Sequence, residues 1–253
     1  MFSGHNLRMM EVAILTVGDE VLSGDTPNTN ATWLAEQITS RGSTVARILT
    51  LPDDRVLIVE TLDRWRNRFD AVVVTGGLGG THDDVTADAI ADVFDRELVV
   101  DQAVREDVLE TAAAYRDANP DLVAEHDLDL DVDAWASLPE GARAIINPEG
   151  LCPGCVLEHV YAFPGVPAEM QALFERVAHE FEGDVVSTTL YTRQPEGSMI
   201  DALAGVREEF DVQVGSYPDT GGLNRLKVIG EDVDAVKSAV EWLEGRVTVD
   251  RVV

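Results

Sequence analysis

Apolar and polar positions fall into two regimes along this chain. Residues 11–17 (Glu-Val-Ala-Ile-Leu-Thr-Val) form a nearly continuous apolar run and lead into Gly18, without the alternation of a strand wetted on one face. Such a run predicts a strand buried on both faces, as in a parallel sheet. Residues 28–41 carry Trp33, Leu34 and Ile38 at helical spacing and stop at Gly42, a residue suited to ending a helix. Further strands are predicted at 44–51, 71–75, 142–146 and 156–162. Helices are predicted at 54–69, 86–95, 101–118 and 167–181, the last opened by Pro167, which a first helical turn tolerates. Residues 18–27 read as a loop. Strands alternating with helices imply right-handed crossovers and a mainly parallel sheet covered on both faces, an α/β fold.

After residue 183 the pattern changes. A strand at 185–192, a helix at 198–210, strands at 212–217 and 225–229, a helix at 233–243 and a strand at 247–252 give the βαββαβ order of a small ferredoxin-like α+β domain. Two domains are therefore expected, 10–183 and 184–253. Residues 119–141, rich in acid and proline, read as an exposed insertion or lid.

Charge changes the picture of the surface. Asp and Glu total 47 against 19 Lys and Arg, a formal net charge of -28, and the lysines are Lys227 and Lys237 alone. The carboxylates are spread along the chain, which favours adaptation of the whole surface over an acidic binding tail. This pattern resembles proteins of extreme halophiles, and a haloarchaeal source is expected, with concentrated salt screening the self-repulsion. A circular-dichroism melt should accordingly shift upward with potassium chloride, and a melt indifferent to the salt would contradict this reading. Such a surface repels nucleic acid and anionic membrane, so neither is expected as a partner. No stretch approaches the roughly 20 apolar residues of a membrane span, and the first residues lack a basic region followed by an apolar one, so a cytoplasmic location is expected.

Candidate chemistry concentrates in residues 75–86, Thr-Gly-Gly-Leu-Gly-Gly-Thr-His-Asp-Asp-Val-Thr. Glycines at 76, 77, 79 and 80 let backbone amides approach a phosphate, although glycine after a strand is also ordinary turn chemistry. Asp83 and Asp84 would repel such a ligand unless a cation bridged them, and hard oxygen ligands favour magnesium or manganese. The competing reading has Asp84 or Thr86 cap the helix that starts there. Asp19 and Glu20 are either solvated loop carboxylates or metal ligands and a general base. Both loops follow strands, and ligands of open α/β sheets bind beyond the strands' carboxyl ends.

Three other features invite sharper readings. Cys152-Pro-Gly-Cys155 has redox or half-zinc spacing, but no second cysteine pair exists, so packing is the preferred reading and a reducing compartment is expected. His82 is either a phosphate or base contact or a solvated residue. Asp127, Asp129, Asp131 and Asp133 lack the glycine and closing glutamate of a calcium loop and read as an exposed acidic edge.

Gly18-Asp-Glu-Val-Leu-Ser-Gly24, Asn28-Thr-Asn30, Thr75 to Thr86, Asn147-Pro-Glu-Gly150 with Pro153-Gly154, and Phe163-Pro-Gly-Val-Pro-Ala-Glu-Met170 resemble, in order, the motifs of the amino-terminal domain of the competence/damage-inducible protein A (CinA) family. That domain belongs to the molybdopterin-binding MoaB/Mog superfamily. A similar domain precedes the FAD synthase module of animals, and His82-Asp83-Asp84 is closest to that branch. The resemblance implies a three-layer α/β/α domain followed by a small α/β domain. It also implies one of two activities: a metal-dependent pyrophosphatase acting on ADP-ribose or FAD, or a molybdopterin-binding or adenylylating protein of molybdenum-cofactor synthesis. Asp83 replaces the arginine of the Mog pattern and Leu78 its threonine, departures that favour the pyrophosphatase. Gly80 stands where CinA proteins usually have proline. The nicotinamide-nucleotide amidase domain of full-length CinA proteins is not seen before the chain ends, so that activity is not expected.

Carried over by position, Asp83 and Asp84 hold a divalent metal (magnesium, manganese or cobalt, with potassium as a further candidate), and Asp84 with Asp19 or Glu20 is catalytic. Contacts to phosphate or nucleotide are expected from Asn28, Asn30, Thr75, Gly76, Gly77, Gly79, Gly80, Thr81, His82, Gly150, Pro153, Gly154, Pro164 and Gly165. The expected partners are a small-molecule nucleotide or pterin and further copies of the chain in a homo-oligomer.

Overall fold

A computed structural model describes residues 10–80, 84–118, 130–183, 185–218 and 222–253. The chain forms two compact units, one of residues 10–39 and 44–181, the other containing 40–43 and 182–253.

In chain order the larger unit contains β1 (Glu11–Val17), α1 (Asp19–Leu22), α2 (Thr29–Ser40), β2 (Thr44–Leu51), α3 (Arg55–Arg66), β3 (Ala71–Thr75), α4 (Thr86–Val93), β4 (Leu98–Val100) and α5 (Gln102–Ala118). It continues with α6 (Val132–Trp135), β5 (Ser137–Pro139), β6 (Arg143–Ile145), β7 (Gly154–Leu157), β8 (Val160–Phe163) and α7 (Pro167–Val177), prolonged by a 3-10 turn over Ala178–Phe181. The main sheet runs β2-β1-β3-β8-β7-β6. Its first four strands are parallel, and the last two continue it antiparallel.

Burial on both faces explains the apolar runs of β1 and β3. Leu15, Val17, Val72 and Val74 pack with Ile58, Leu62 and Ile90 of α3 and α4. Their strand neighbours Ile14 and Val73 pack with Leu34, Ile38 and Phe174 of α2 and α7. Each strand thus feeds two cores, which makes three α/β/α layers.

Several sequence expectations change. The strand expected at 156–162 is a hairpin, β7 and β8, reversed at Glu158 with φ 53°. Apolar residues on both sides of the reversal hid it, and no Asn-Gly or Asp-Gly marks it. The loop at 18–27 contains the single turn α1. β4 and β5 form a two-stranded antiparallel sheet, too short to leave a periodic signal. Residues 119–129 lie outside the described residues, but the rest of the expected insertion is structural, since Ala136 and Leu138 are core residues. Asp131 caps α6 by accepting from the Ala134 amide at 3.0 Å, and Asp133 pairs with Arg105 at 2.7 Å. These two carboxylates are therefore engaged structurally, while Asp127 and Asp129 lie outside the described residues.

The smaller unit contains β9 (Val186–Thr192), α8 (Ile200–Glu209), β10 (Gln213–Pro218), β11 (Asn224–Gly230), α9 (Val233–Glu244) and β12 (Arg251–Val252). Its sheet, β10-β11-β9-β12, is wholly antiparallel. Leu190, Val206, Leu226, Val228, Val236 and Leu243 fill the core between sheet and helices. The final strand is shorter than the expected 247–252. Among the described residues no helix is long and apolar enough to cross a membrane.

Candidate functional site

Parallel pairing in register brings the carboxyl ends of β1 and β3 together, with Thr16 beside Thr75, and Val17 beside Leu51 of β2. The loops after all three strands therefore meet at one sheet edge. They line a cleft of about 660 Å³ that includes Gly18, Glu20, Asp53, Gly76, Gly77, Gly79 and Asp84.

The glycine turn is shaped by close approach. Gly76 has φ 100°, and a Cβ there would lie 2.0 Å from the Val17 carbonyl oxygen. Gly77 has φ 59°, and its Cβ would meet Thr86 Oγ1 at 2.7 Å. Thr86 clamps the turn: its hydroxyl donates to the Gly76 carbonyl and its amide to the Gly77 carbonyl, both at 2.8 Å. The Gly76 amide donates to the Phe163 carbonyl at 3.1 Å. The Gly76 amide is thus engaged within the scaffold, while the residue itself lines the cleft and sets the shape of the turn. The amides of Gly77, Leu78 and Gly79 donate to no backbone acceptor among the described residues, which leaves them as the candidate donors. The N-cap position of α4 is Val85, between the two residues read as possible caps, and Val85 makes no side-chain capping hydrogen bond.

Asp53 joins Asp19, Glu20 and Asp84 as a fourth acidic residue at this edge. One of its oxygens accepts from the Asp19 amide at 3.1 Å. Burial raises its pKa, the Asp19 amide opposes the shift, and the charges of Asp19, Glu20 and Asp84 add to it. Asp84 crowds Gly79: a Cβ at residue 79 would sit 2.4 Å from Asp84 Oδ2. No Lys, Arg or His belongs to the cleft lining among the described residues. A phosphate entering there needs a positive charge from elsewhere, and a divalent cation fits that need. No group of three His, Cys, Asp or Glu among the described residues is placed to hold a metal alone. Magnesium does not require one, because it retains waters and takes one or two carboxylates together with ligand phosphates. Asp53 and Asp84 are the described candidates for that share. Thr81, His82 and Asp83 lie outside the described residues.

A raised carboxyl pKa means that the fold prefers the protonated form. Stability of the metal-free protein is therefore lost as pH rises from the ordinary carboxylate range through the raised Asp53 value. Asp53→Asn should remove that loss, so in chelator its melting temperature gains on the parent as pH rises. Added magnesium or manganese should stabilise the parent more than the variant. A variant that melts below the parent at every pH, with an undiminished metal response, would contradict the crowding.

Glu169, in the first turn of α7, is a second unanticipated carboxylate in the cleft. Asn147 Nδ2 donates to Glu169 Oε2 and to the Cys152 carbonyl, each at 2.7 Å. Burial raises the Glu169 pKa against the opposing Asn147 hydrogen bond. Gly150 makes room for this carboxylate, since a Cβ there would lie 2.4 Å from Glu169 Oε1.

Other expected contacts stand behind the cleft. Asn28 accepts from the Ala31 amide at 3.1 Å and donates to Thr16 and Thr50 hydroxyls at 3.0 and 3.2 Å, tying the start of α2 to β1 and β2. Asn30 donates to the Gly165 carbonyl at 2.7 Å and to Thr75 Oγ1 at 3.2 Å, and the Thr75 hydroxyl donates to the Pro164 carbonyl at 3.0 Å. Asn28, Asn30 and Thr75 do not line the cleft, whereas Gly150, Pro164 and Gly165 do. Gly80 and Pro153 line an adjoining pocket of about 200 Å³, and Gly154 is buried in β7.

Cys152 and Cys155 are free and buried. Burial pushes the Cys155 thiol up to about 12 and raises Cys152 as well, where Glu169 and Asp84 add to the effect. Both are neutral packing groups at pH 7, and Cys152 Sγ donates to the Leu78 carbonyl at 3.1 Å, bracing the glycine turn.

Residues 13–182 match the family model described as "probable molybdopterin binding domain", and residues 184–253 match the middle domain of FAD synthase. The structure of CinA from Thermoplasma acidophilum superposes with a TM-score of 0.59 at 30% identity, over 68% of this chain and 98% of that one. This chain belongs to the probable molybdopterin-binding domain family and is CinA-like. A protein of Archaeoglobus fulgidus is 38% identical over 237 residues, 93% of this chain and 97% of its own length. A CinA-like protein of Salinibacter ruber is 34% identical over 93% of this chain, which spans 60% of that relative. Within this CinA-like family the glycine turn and its neighbouring carboxylates sit in the matched region 13–182, outside the FAD synthase match.

Proposed function

We propose that the cleft binds a phosphate-bearing small molecule of the molybdopterin or adenine-nucleotide kind together with a divalent cation, and that it hydrolyses the diphosphate of a dinucleotide such as ADP-ribose or FAD. Binding has the broader support, because the matching family is described by molybdopterin and the second match by FAD synthase. One observation carries the hydrolytic reading: a cleft lined by Glu20, Asp53 and Asp84, with no cationic side chain in its described lining. A site evolved only to hold an anion would use Arg or Lys.

The amides of Gly77, Leu78 and Gly79 would orient the diphosphate. Asp53 and Asp84 would hold the cation, and Glu20 or Asp19 would accept the proton of an attacking water. A bound divalent ion would supply charge neutralisation at the phosphoryl oxygens. The test is incubation in high potassium chloride with ADP-ribose, FAD and NAD, each with magnesium, manganese, cobalt or chelator. Metal-dependent release of AMP is expected. Nucleotide or pterin binding without cleavage would reduce the role to binding, and AMP transfer from ATP to molybdopterin would replace hydrolysis by adenylylation.

A further inference from the structure

No sequence motif marked the part of the cleft contributed by α5 and α6, where Thr111, Tyr115 and Trp135 join the lining. Trp135 lies directly against the glycine turn. A Cβ on Gly80 would stand 2.4 Å from both Cδ1 and Nε1 of the indole, so glycine at that position is what lets the ring approach. The same ring lines the adjoining pocket with Leu78 and Gly79. Its short helix is pinned by the Asp131 cap, the Arg105–Asp133 ion pair and the Asp101 amide, which donates to the Ala136 carbonyl at 2.9 Å. Tyr115, on the preceding helix, is 52% exposed.

Trp135 also packs partly on the core, so filling space accounts for some of its surface. Tyr115 continues the face of α5 that buries Val104, Val108 and Ala112, one turn further on, yet it remains half-exposed and lines the same cleft as Trp135. Two aromatic side chains lining a cleft next to candidate phosphate donors have the layout of a nucleotide site, with donors for the phosphate and a flat apolar surface for the ring.

We propose that Trp135 and Tyr115 form the ring-binding end of the cleft, taking the planar heterocycle of a ligand whose phosphate lies at Gly77–Gly79, and thereby select ring-bearing over ringless diphosphates. The proposal rests on the reading of the cleft as a phosphate-ligand site and adds the residues that choose the ligand. Stacking of a base on aromatic side chains is worth about tenfold to a hundredfold in affinity.

The full chain, its Trp135→Leu variant and its Tyr115→Leu variant would be titrated by calorimetry with AMP, ADP-ribose, ribose 5-phosphate and inorganic pyrophosphate, with magnesium in high salt. Indole fluorescence would be followed in parallel. Each substitution is expected to weaken AMP and ADP-ribose by about tenfold or more while leaving pyrophosphate within about twofold. AMP should quench fluorescence in the parent, and Trp135→Leu should abolish the quench. Matched melting curves would verify that the Tyr115 variant folds as the parent does. Equal weakening of AMP and pyrophosphate, or unchanged AMP affinity in both variants, overturns the ring assignment alone. Failure of the parent to bind any of the four ligands overturns the phosphate-site reading beneath it.

Discussion

Asp84→Asn should leave the melting curve near that of the parent and lower metal-dependent turnover by at least about a hundredfold, a larger loss than substitutions one shell away from a metal produce. The carboxylate sits in the cleft against Gly79, and the isosteric amide removes its charge at nearly constant shape. The variant should need more metal for half-maximal activity if any remains. Full turnover at unchanged metal requirement would remove Asp84 from the reaction.

The second large effect falls on stability. Gly76→Ala places a methyl group 2.0 Å from the Val17 carbonyl oxygen at a φ of 100°. Neither strand end can retreat, because β1 and β3 pair in register over five residues. A cost of about 3–5 kcal/mol is expected, the upper range for single substitutions. Gly24→Ala is the internal control: φ is 81° there, but no atom lies within 4 Å of the added carbon. It should cost about 1 kcal/mol, from backbone conformation alone. Urea denaturation of the two variants separates the terms. Equal losses would mean that the turn yields and does not hold a fixed shape.

The fold was readable where burial is two-sided. β1 and β3 announce themselves because both faces need apolar side chains, and the glycine and acidic loops after them fall at the sheet's carboxyl edge by the logic of parallel strands. The hairpin at Glu158 was not readable, since residues on either side of it are equally apolar. Asn28, Asn30 and Thr75 look like ligand contacts in a motif, yet their hydrogen bonds serve the scaffold that holds the 164–165 loop and the start of α2.

Asp53 escaped notice for a local reason. It precedes Asp54, which accepts from the amides of Val56 and Leu57 as the cap of α3, and the two acids are indistinguishable in sequence. Its position at the end of β2, beside β1, was the usable signal. Trp135 had none, because its contact with Gly80 joins segments 55 residues apart.

The most direct measurement is hydrolysis of ADP-ribose and FAD in oxygen-18 water, with magnesium or manganese in concentrated potassium chloride, followed by mass spectrometry of the phosphate-containing products. The expected result is a single oxygen-18 in one of the two monophosphates, formed only with metal and lost in Asp84→Asn. A nucleotide that binds in the presence of metal and is recovered uncleaved, or products without the label, would contradict water attack on a diphosphate in this cleft.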